Sequence, residues 1–91
     1  MEDARQAKAL ALLDYVESRQ SADILRGKIS EIGELLKLVG EELKTDPFMY
    51  MAKRYTLPLQ SEIDTLTDQL AEIEETVEQM RKKAADYGVS I

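Results

Sequence analysis

The sequence predicts an all-α protein in which two long helices form an antiparallel helical hairpin or coiled coil, and three observations lead to that prediction. Apolar residues recur at alternating three- and four-residue spacings in both halves of the 91-residue chain, which is the pattern of a coiled coil. Both prolines lie near the middle of the chain. The segment 44–47 is the clearest interruption, and a turn as short as 45–46 makes its flanking helices antiparallel neighbours within a single domain, 1–91.

The first predicted helix covers about residues 3–44 and carries two apolar lines. One is the heptad seam, the line of residues that faces a partner helix. Its members are Ala22, Leu25, Ile29, Ile32, Leu36, Val39 and Leu43, with a backward extension through Ala4, Ala11, Tyr15 and Ser18 in which Lys8 occupies one position. The other line lies roughly 90–100° around the helix. We call it the α1 stripe, and its members are Leu10, Leu13, Ile24, Leu35 and Leu38.

Two further features of the first half bear on its shape. Residues 17–23 interrupt the apolar pattern without Gly or Pro. One continuous helix of about 60 Å is favoured there, and a break with Ser21 as a new N-cap is the alternative. Gly33 and Gly40 lie beside the seam, where each costs up to about 1 kcal/mol relative to Ala. We expect a neighbouring helix to approach closely at these two glycines.

The second predicted helix covers about residues 47–87. Asp46 followed by Pro47 is typical of an N-cap and the first helical residue. Pro58 either kinks this helix or separates a short helix at 47–56 from a new helix start, and both alternatives fit the sequence. The seam of the second half is narrow and spans about four heptads. Its members are Leu59, Ile63, Leu66, Leu70, Ile73, Val77, Met80, Ala84 and Tyr87.

The heptad phase sets how the two seams meet. In a tight hairpin Leu36 pairs with Leu59, and the same register continues through the pairs Ile32–Ile63, Ile29–Leu66 and Leu25–Leu70. A register displaced by one heptad is also in phase, but it turns the apolar segment 48–51 into part of a loop, so the tight hairpin is favoured.

The predicted hairpin leaves the α1 stripe uncovered, and an apolar strip of that length is uncommon on a soluble monomer. We therefore expect a homodimer across the stripe, which would form an elongated four-helix bundle. The alternative is a three-helix bundle monomer, in which a break at 17–23 lets the N-terminal segment fold back over the stripe.

Composition excludes several classes of function. The chain has 18 acidic and 12 basic residues, a net charge of -6, and no His or Cys, so imidazole and thiol catalysis, disulfides and most zinc sites are absent. No acidic residue occupies a seam position. We expect no enzyme activity, no catalytic residue, no cofactor and no metal site. The longest basic run is 81–83, which predicts no direct nucleic-acid binding and no membrane binding. With no signal-peptide pattern or apolar span, the expected location is the cytoplasm.

Two segments are candidates for recognition. We call the first the tip cluster, because it lies at the predicted hairpin end; it is the candidate partner-binding site, and its members are Phe48, Met49, Tyr50, Met51 and Tyr55. Aromatic residues and Met are enriched at interface hot spots, although such residues also pack against an opposite helix. The second segment, 62–78, has seven acids and no base, and it is either a solvated face or a grip for a basic partner.

These features favour a non-enzymatic protein–protein interaction module, such as a small assembly, adaptor or chaperone-like helical protein. The alternative is an acidic inhibitor or regulator that occupies a basic site on its partner, for example as a nucleic-acid mimic. The predicted homodimer interface is the α1 stripe in either case.

Overall fold

The computed structural model contains a hairpin of two long helices with a short helix at its closed end. It describes residues 2–89, with side chains from residue 5 onward. Helix α1 is Glu2–Thr45, α2 is Pro47–Lys53 and α3 is Gln60–Asp86. Helix α1 packs against α3 and, at the closed end, against α2. The molecule measures 69 × 20 × 15 Å, so it is a rod, and the predicted antiparallel hairpin is confirmed.

Helix α1 is continuous through residues 17–23, where its serines bond within the helix. The Ser18 hydroxyl donates to the Tyr15 carbonyl at 2.9 Å, and the Ser21 hydroxyl donates to the Glu17 carbonyl at 3.1 Å. A serine that bonds back to the preceding turn does not cap a new helix. Since Ser18 is also buried on the seam side, the interruption in the apolar pattern is accommodated without a break. The N-terminal part of α1 therefore does not fold back over the α1 stripe.

The seam of the second half lies where the heptad pattern predicts. In α3 all seven seam residues from Ile63 to Ala84 are buried or half-buried. Val77 lines a surface groove with Tyr15 and Ala22, which matches the tight-hairpin register. Most seam side chains are only half-buried, because a single partner helix covers one side of them. Each therefore contributes less than the roughly 1.5–3 kcal/mol of complete burial.

The chain between α2 and α3 leaves helical geometry. Arg54 ends α2 in the left-handed region, with φ 52° and ψ 56°, and residues 55–59 have no regular secondary structure. Pro58 lies in this segment, where its missing N–H removes no helical hydrogen bond. Leu59 precedes α3 with ψ 152°, and its N–H donates to the Glu62 carboxylate at 3.3 Å. The second half is therefore two helices with a break between them.

The break overturns one predicted pair, Leu36 with Leu59. Leu59 is 65% exposed and Leu36 is 42% exposed, because an extended backbone at Leu59 does not present the side chain in the helical phase of the seam. The buried face of α1 near the closed end instead includes Val39 and Glu42, whereas Leu43 on the seam is 45% exposed.

The expectation of a close helix approach at Gly33 and Gly40 is also wrong. A Cβ added at either glycine would meet nothing within 4 Å, and the same holds for Gly27. The chain does use a glycine at the end of α3, where Gly88 has φ 82°. This left-handed residue stops the helix. Among the described residues, no helix has a stretch long and apolar enough to cross a membrane.

Candidate interaction surfaces

The α1 stripe is exposed along most of its length. Ile24 is 61% exposed, Leu10 53%, Leu38 50% and Leu13 49%, while Leu35 is half-buried. Helix α3 occupies the seam side of α1, roughly a quarter turn away, so it does not cover the stripe. These five residues share one side of α1, where the exposed acids Glu17 and Glu31 also lie.

The tip cluster divides into an inner pair and an outer group. Tyr50 and Tyr55 are half-buried, and their rings stack with centroids 5.9 Å apart and an interplanar angle of 30°. Phe48, Met51 and Met49 point outward and are 76%, 66% and 46% exposed. The sequence grouped all five as one candidate site, but the structure assigns the two tyrosines to packing and leaves three apolar side chains on the surface.

Helix α2 starts where the Asp-Pro pair predicts. The Asp46 side chain accepts a hydrogen bond from the backbone N–H of Met49 at 3.2 Å, and Pro47 occupies the first helical turn, where its missing N–H costs nothing. Phe48 and Met51, three residues apart, lie on one face of this short helix. The cap therefore fixes the direction in which the two most exposed residues of the tip cluster point.

Glu42 of α1 holds the returning chain against the hairpin. The Tyr55 hydroxyl donates to Glu42 Oε2 at 2.5 Å, and Lys53 Nζ lies 2.9 Å from Glu42 Oε1. Lys53 also lies 5.8 Å from the centroid of the Tyr55 ring. Glu42 is only 9% exposed, yet both of its carboxylate oxygens have partners. Sequence reasoning missed this residue, because an isolated Glu beside a seam gives no sign of which later residues will reach it.

The three groups of this anchor shift one another's pKa. The hydrogen bond from Tyr55, and after it the one from Lys53, lowers the pKa of Glu42. The hydrogen bond to Glu42 raises the pKa of Lys53 and that of Tyr55. A lowered carboxyl pKa stabilises the fold above the ordinary value of 4.5, and this contribution is lost as pH falls through the folded pKa. A raised pKa has the opposite pH dependence. Tyr55 and Lys53 stabilise the fold fully below their ordinary pKa values of 10.0 and 10.5, and this stabilisation is lost as pH rises through their pKa values in the folded protein.

The acidic segment 62–78 is not a uniform row of unpaired carboxylates. Glu74 forms an ion pair with Arg26 of α1, and Glu78 accepts two hydrogen bonds from Arg81, at 2.5 and 2.9 Å. Arg81 holds the pKa of Glu78 below its ordinary value. In the described part of the chain, acidic residues do not converge in any group of three suited to a metal ion.

Comparison with known proteins provides no relative from which a role could be transferred. No protein-family model, no curated protein and no solved structure matches this chain.

Proposed function

We propose that this protein is a non-enzymatic interaction module that binds another protein through exposed helix faces. The observation that carries the proposal is the exposure of the α1 stripe, whose residues extend over about 40 Å of helix from Leu10 to Leu38. Exposed apolar side chains that recur along one helix face, rimmed by polar residues such as Glu17 and Glu31, are typical of a protein–protein interaction site. The outer residues of the tip cluster, Phe48 and Met51, offer a second, smaller contact surface.

The shape of the molecule supports binding rather than catalysis. A rod of 69 × 20 × 15 Å offers shallow grooves between its helices instead of a deep recess. Catalytic sites need several polar groups aimed at one point in a concave, water-excluding pocket. At the Glu42 cluster of three titratable groups, both carboxylate oxygens are engaged by the chain itself, which suits an anchor.

Two matched double variants test the proposal. Ile24→Gln with Leu38→Gln removes the centre and one end of the α1 stripe. Leu12→Gln with Val16→Gln is the control, since these two residues are also exposed apolar residues of α1, at 38% and 39%, but lie off the stripe. Each protein is used for affinity capture from its native host after circular dichroism has confirmed equal helicity. Partners retained by the control and lost from the stripe variant support the proposal, whereas identical capture by both variants refutes it.

The homodimer expected from the sequence stays a prediction. It would bury the α1 stripe against a second copy, and it is measured directly by sedimentation equilibrium. A mass of 10.3 kDa across the working concentration range would exclude it, and twice that mass would support it.

An acidic inhibitor of a basic site is the second candidate function. It is favoured by the concentration of charge in one part of the chain, because residues 58–91 contain eight acids and only three bases. Ionic strength separates the two candidates. Binding that weakens strongly with added salt favours the inhibitor, and binding that persists in salt but fails in the stripe variant favours the apolar interaction module.

A further inference from the structure

A shallow groove runs along α3 on one side of the hairpin, and Ile24 of the α1 stripe forms part of its wall. We call it the side groove. Its central part has a volume of 420 Å³ and lies between Ile24 and Leu25 of α1 and Ile73 of α3. One neighbouring part shares Ser21 and Thr76 with it and reaches Met80. The other shares Gln69 and reaches Ser61. The three parts together follow α3 for about 30 Å, the length of a helix of about 20 residues.

The lining of the side groove is apolar at its floor and neutral or acidic at its edges. Leu25, Leu66, Ile73 and Met80 contribute apolar surface. All four charged residues of the described lining are acidic, namely Asp14, Glu17, Glu62 and Glu72. Glu62 already accepts the N–H of Leu59, but no ion pair of the described chain involves any of the four.

The opposite side of the hairpin has a different charge pattern. There the groove between the helices is lined by Arg19 and Arg26 as well as Asp23 and Glu74, and Arg26 pairs with Glu74. The lining of the opposite groove thus contains bases as well as acids, whereas the described lining of the side groove contains only acids among its charged residues. Charge of one sign around an apolar floor selects a partner of the opposite sign.

The exposed edge of α1 beside the side groove argues against a second copy of this chain as the occupant. At seven-residue intervals this edge reads Leu10, Glu17, Ile24, Glu31, Leu38, and all five residues are exposed. In a two-fold antiparallel contact centred on Ile24, the leucines meet, but Glu17 then meets Glu31 of the second copy. In a parallel contact each acid meets its own counterpart. Both arrangements that place apolar residues opposite each other therefore also place acidic residues opposite each other, and the repulsion between them disfavours association.

We propose that the side groove binds a basic amphipathic helix of another protein, with an apolar stripe on its floor and flanking Lys or Arg residues against the four acids. Docking of such a helix completes a three-helix bundle and covers Ile24 and its neighbours. The proposal rests on the proposed function as an interaction module and specifies the chemistry of its partner. In this mode of binding, apolar residues at three- and four-residue spacing on the partner helix anchor it in the groove. The partner helix would cover the face on which the hairpin has no third helix.

Three synthetic helical peptides test this charge selection. Each is about three heptads long and carries the same Leu and Ala stripe, flanked by Lys in the first peptide, Gln in the second and Glu in the third. Affinities for the full-length protein are measured by fluorescence anisotropy at physiological salt. We expect the Lys peptide to bind about ten-fold or more tighter than the Glu peptide, with the Gln peptide between them. Equal affinities for the Lys and Glu peptides would overturn the proposal.

Two charge-matched double variants locate the site. Glu17→Lys with Glu72→Lys reverses two acids of the side groove, and Asp23→Lys with Asp68→Lys makes the same change in net charge outside it. We expect the first variant to bind the Lys peptide about ten-fold more weakly and the second to change affinity by less than about two-fold. If both variants bind the Lys peptide equally more weakly, affinity depends on net charge alone, and the proposal is refuted.

Two further outcomes separate this proposal from competing explanations. A stable dimer of the wild-type chain that Ile24→Gln dissociates would show that a second copy occupies this face, and would overturn the choice of a basic helix. If no peptide binds with charge preference, but the stripe variant still loses its native partners, the inference about the side groove fails while the proposed function stands. If the stripe variant also captures the same native partners as the control, both the inference about the side groove and the proposed function fail.

Discussion

The two least exposed residues of the described core are alanines, one on each long helix, and enlarging one of them tests the packing of the hairpin. Ala84 of α3 is 0% exposed and Ala11 of α1 is 1% exposed, and they lie across from each other in the register of the hairpin. Two methyl side chains allow the helices to approach closely. Ala84→Leu replaces a methyl group with an isobutyl group where no free surface exists, so the helices must separate or the side chain must adopt a strained rotamer.

Overpacking of this kind costs about 1–3 kcal/mol of unfolding free energy. In a domain of this size a change of 1 kcal/mol shifts the melting temperature by about 4–8 °C, so we expect Ala84→Leu to lower it by roughly 5–20 °C. Ala85→Leu is the matched control, because Ala85 is the adjacent residue of the same helix and is exposed. Its unfolding free energy should change by no more than about 0.5 kcal/mol.

Urea denaturation followed by far-ultraviolet circular dichroism measures both variants. The two substitutions share the small helix-propensity difference between Ala and Leu, so any difference between them reports burial. If Ala84→Leu is as stable as Ala85→Leu, the helices are not in close contact at this point, and the register described for the hairpin is wrong there.

Two further predictions concern α1 and the closed end. Gly33→Ala and Gly40→Ala should each raise the unfolding free energy by about 0.5–1 kcal/mol in the same urea assay, because an added Cβ meets open space at both positions; a loss of stability would contradict that geometry. The near-ultraviolet circular dichroism of the tyrosines should be constant as pH is lowered from neutral to 4.5 and should change below that value, because protonation of Glu42 removes the charged partner of Tyr55 and Lys53. A Glu42→Gln variant that keeps the acid-side change would refute the anchor.

The tip cluster shows where sequence reasoning lost resolution. The tip cluster was singled out by its composition, but composition alone does not separate Tyr50, which stacks, from Phe48, which is 76% exposed. The separation depends on Glu42, thirteen residues before Tyr55 in the chain. A contact of that kind forms only after the chain has reversed direction, so no local pattern contains it.

The break near Pro58 is a second such case. Leu59 follows the heptad phase of the seam, and that phase predicted its pair with Leu36, while the sequence left open whether Pro58 kinks the helix or breaks it. The left-handed Arg54 and the extended residues 55–59 place Leu59 outside the helix. Heptad phase predicts which residues share a face only while the chain stays helical. An extended segment advances about twice as far per residue as a helix, so the phase no longer predicts where the side chain of Leu59 lies.

The amino-acid order determined the two long helices, the turn after Asp46 and the buried face of α3, because a 3.5-residue repeat allows only one side of a helix to meet a single partner. It also specified the α1 stripe as apolar surface beyond the seam. Tertiary structure alone decided that Glu42 secures the returning chain and that the charged residues in the described lining of the side groove are all acidic. Those outcomes depend on which side chains from distant parts of the chain come within a few ångströms of each other. The periodicity of apolar residues along one helix does not predict the distances between such side chains.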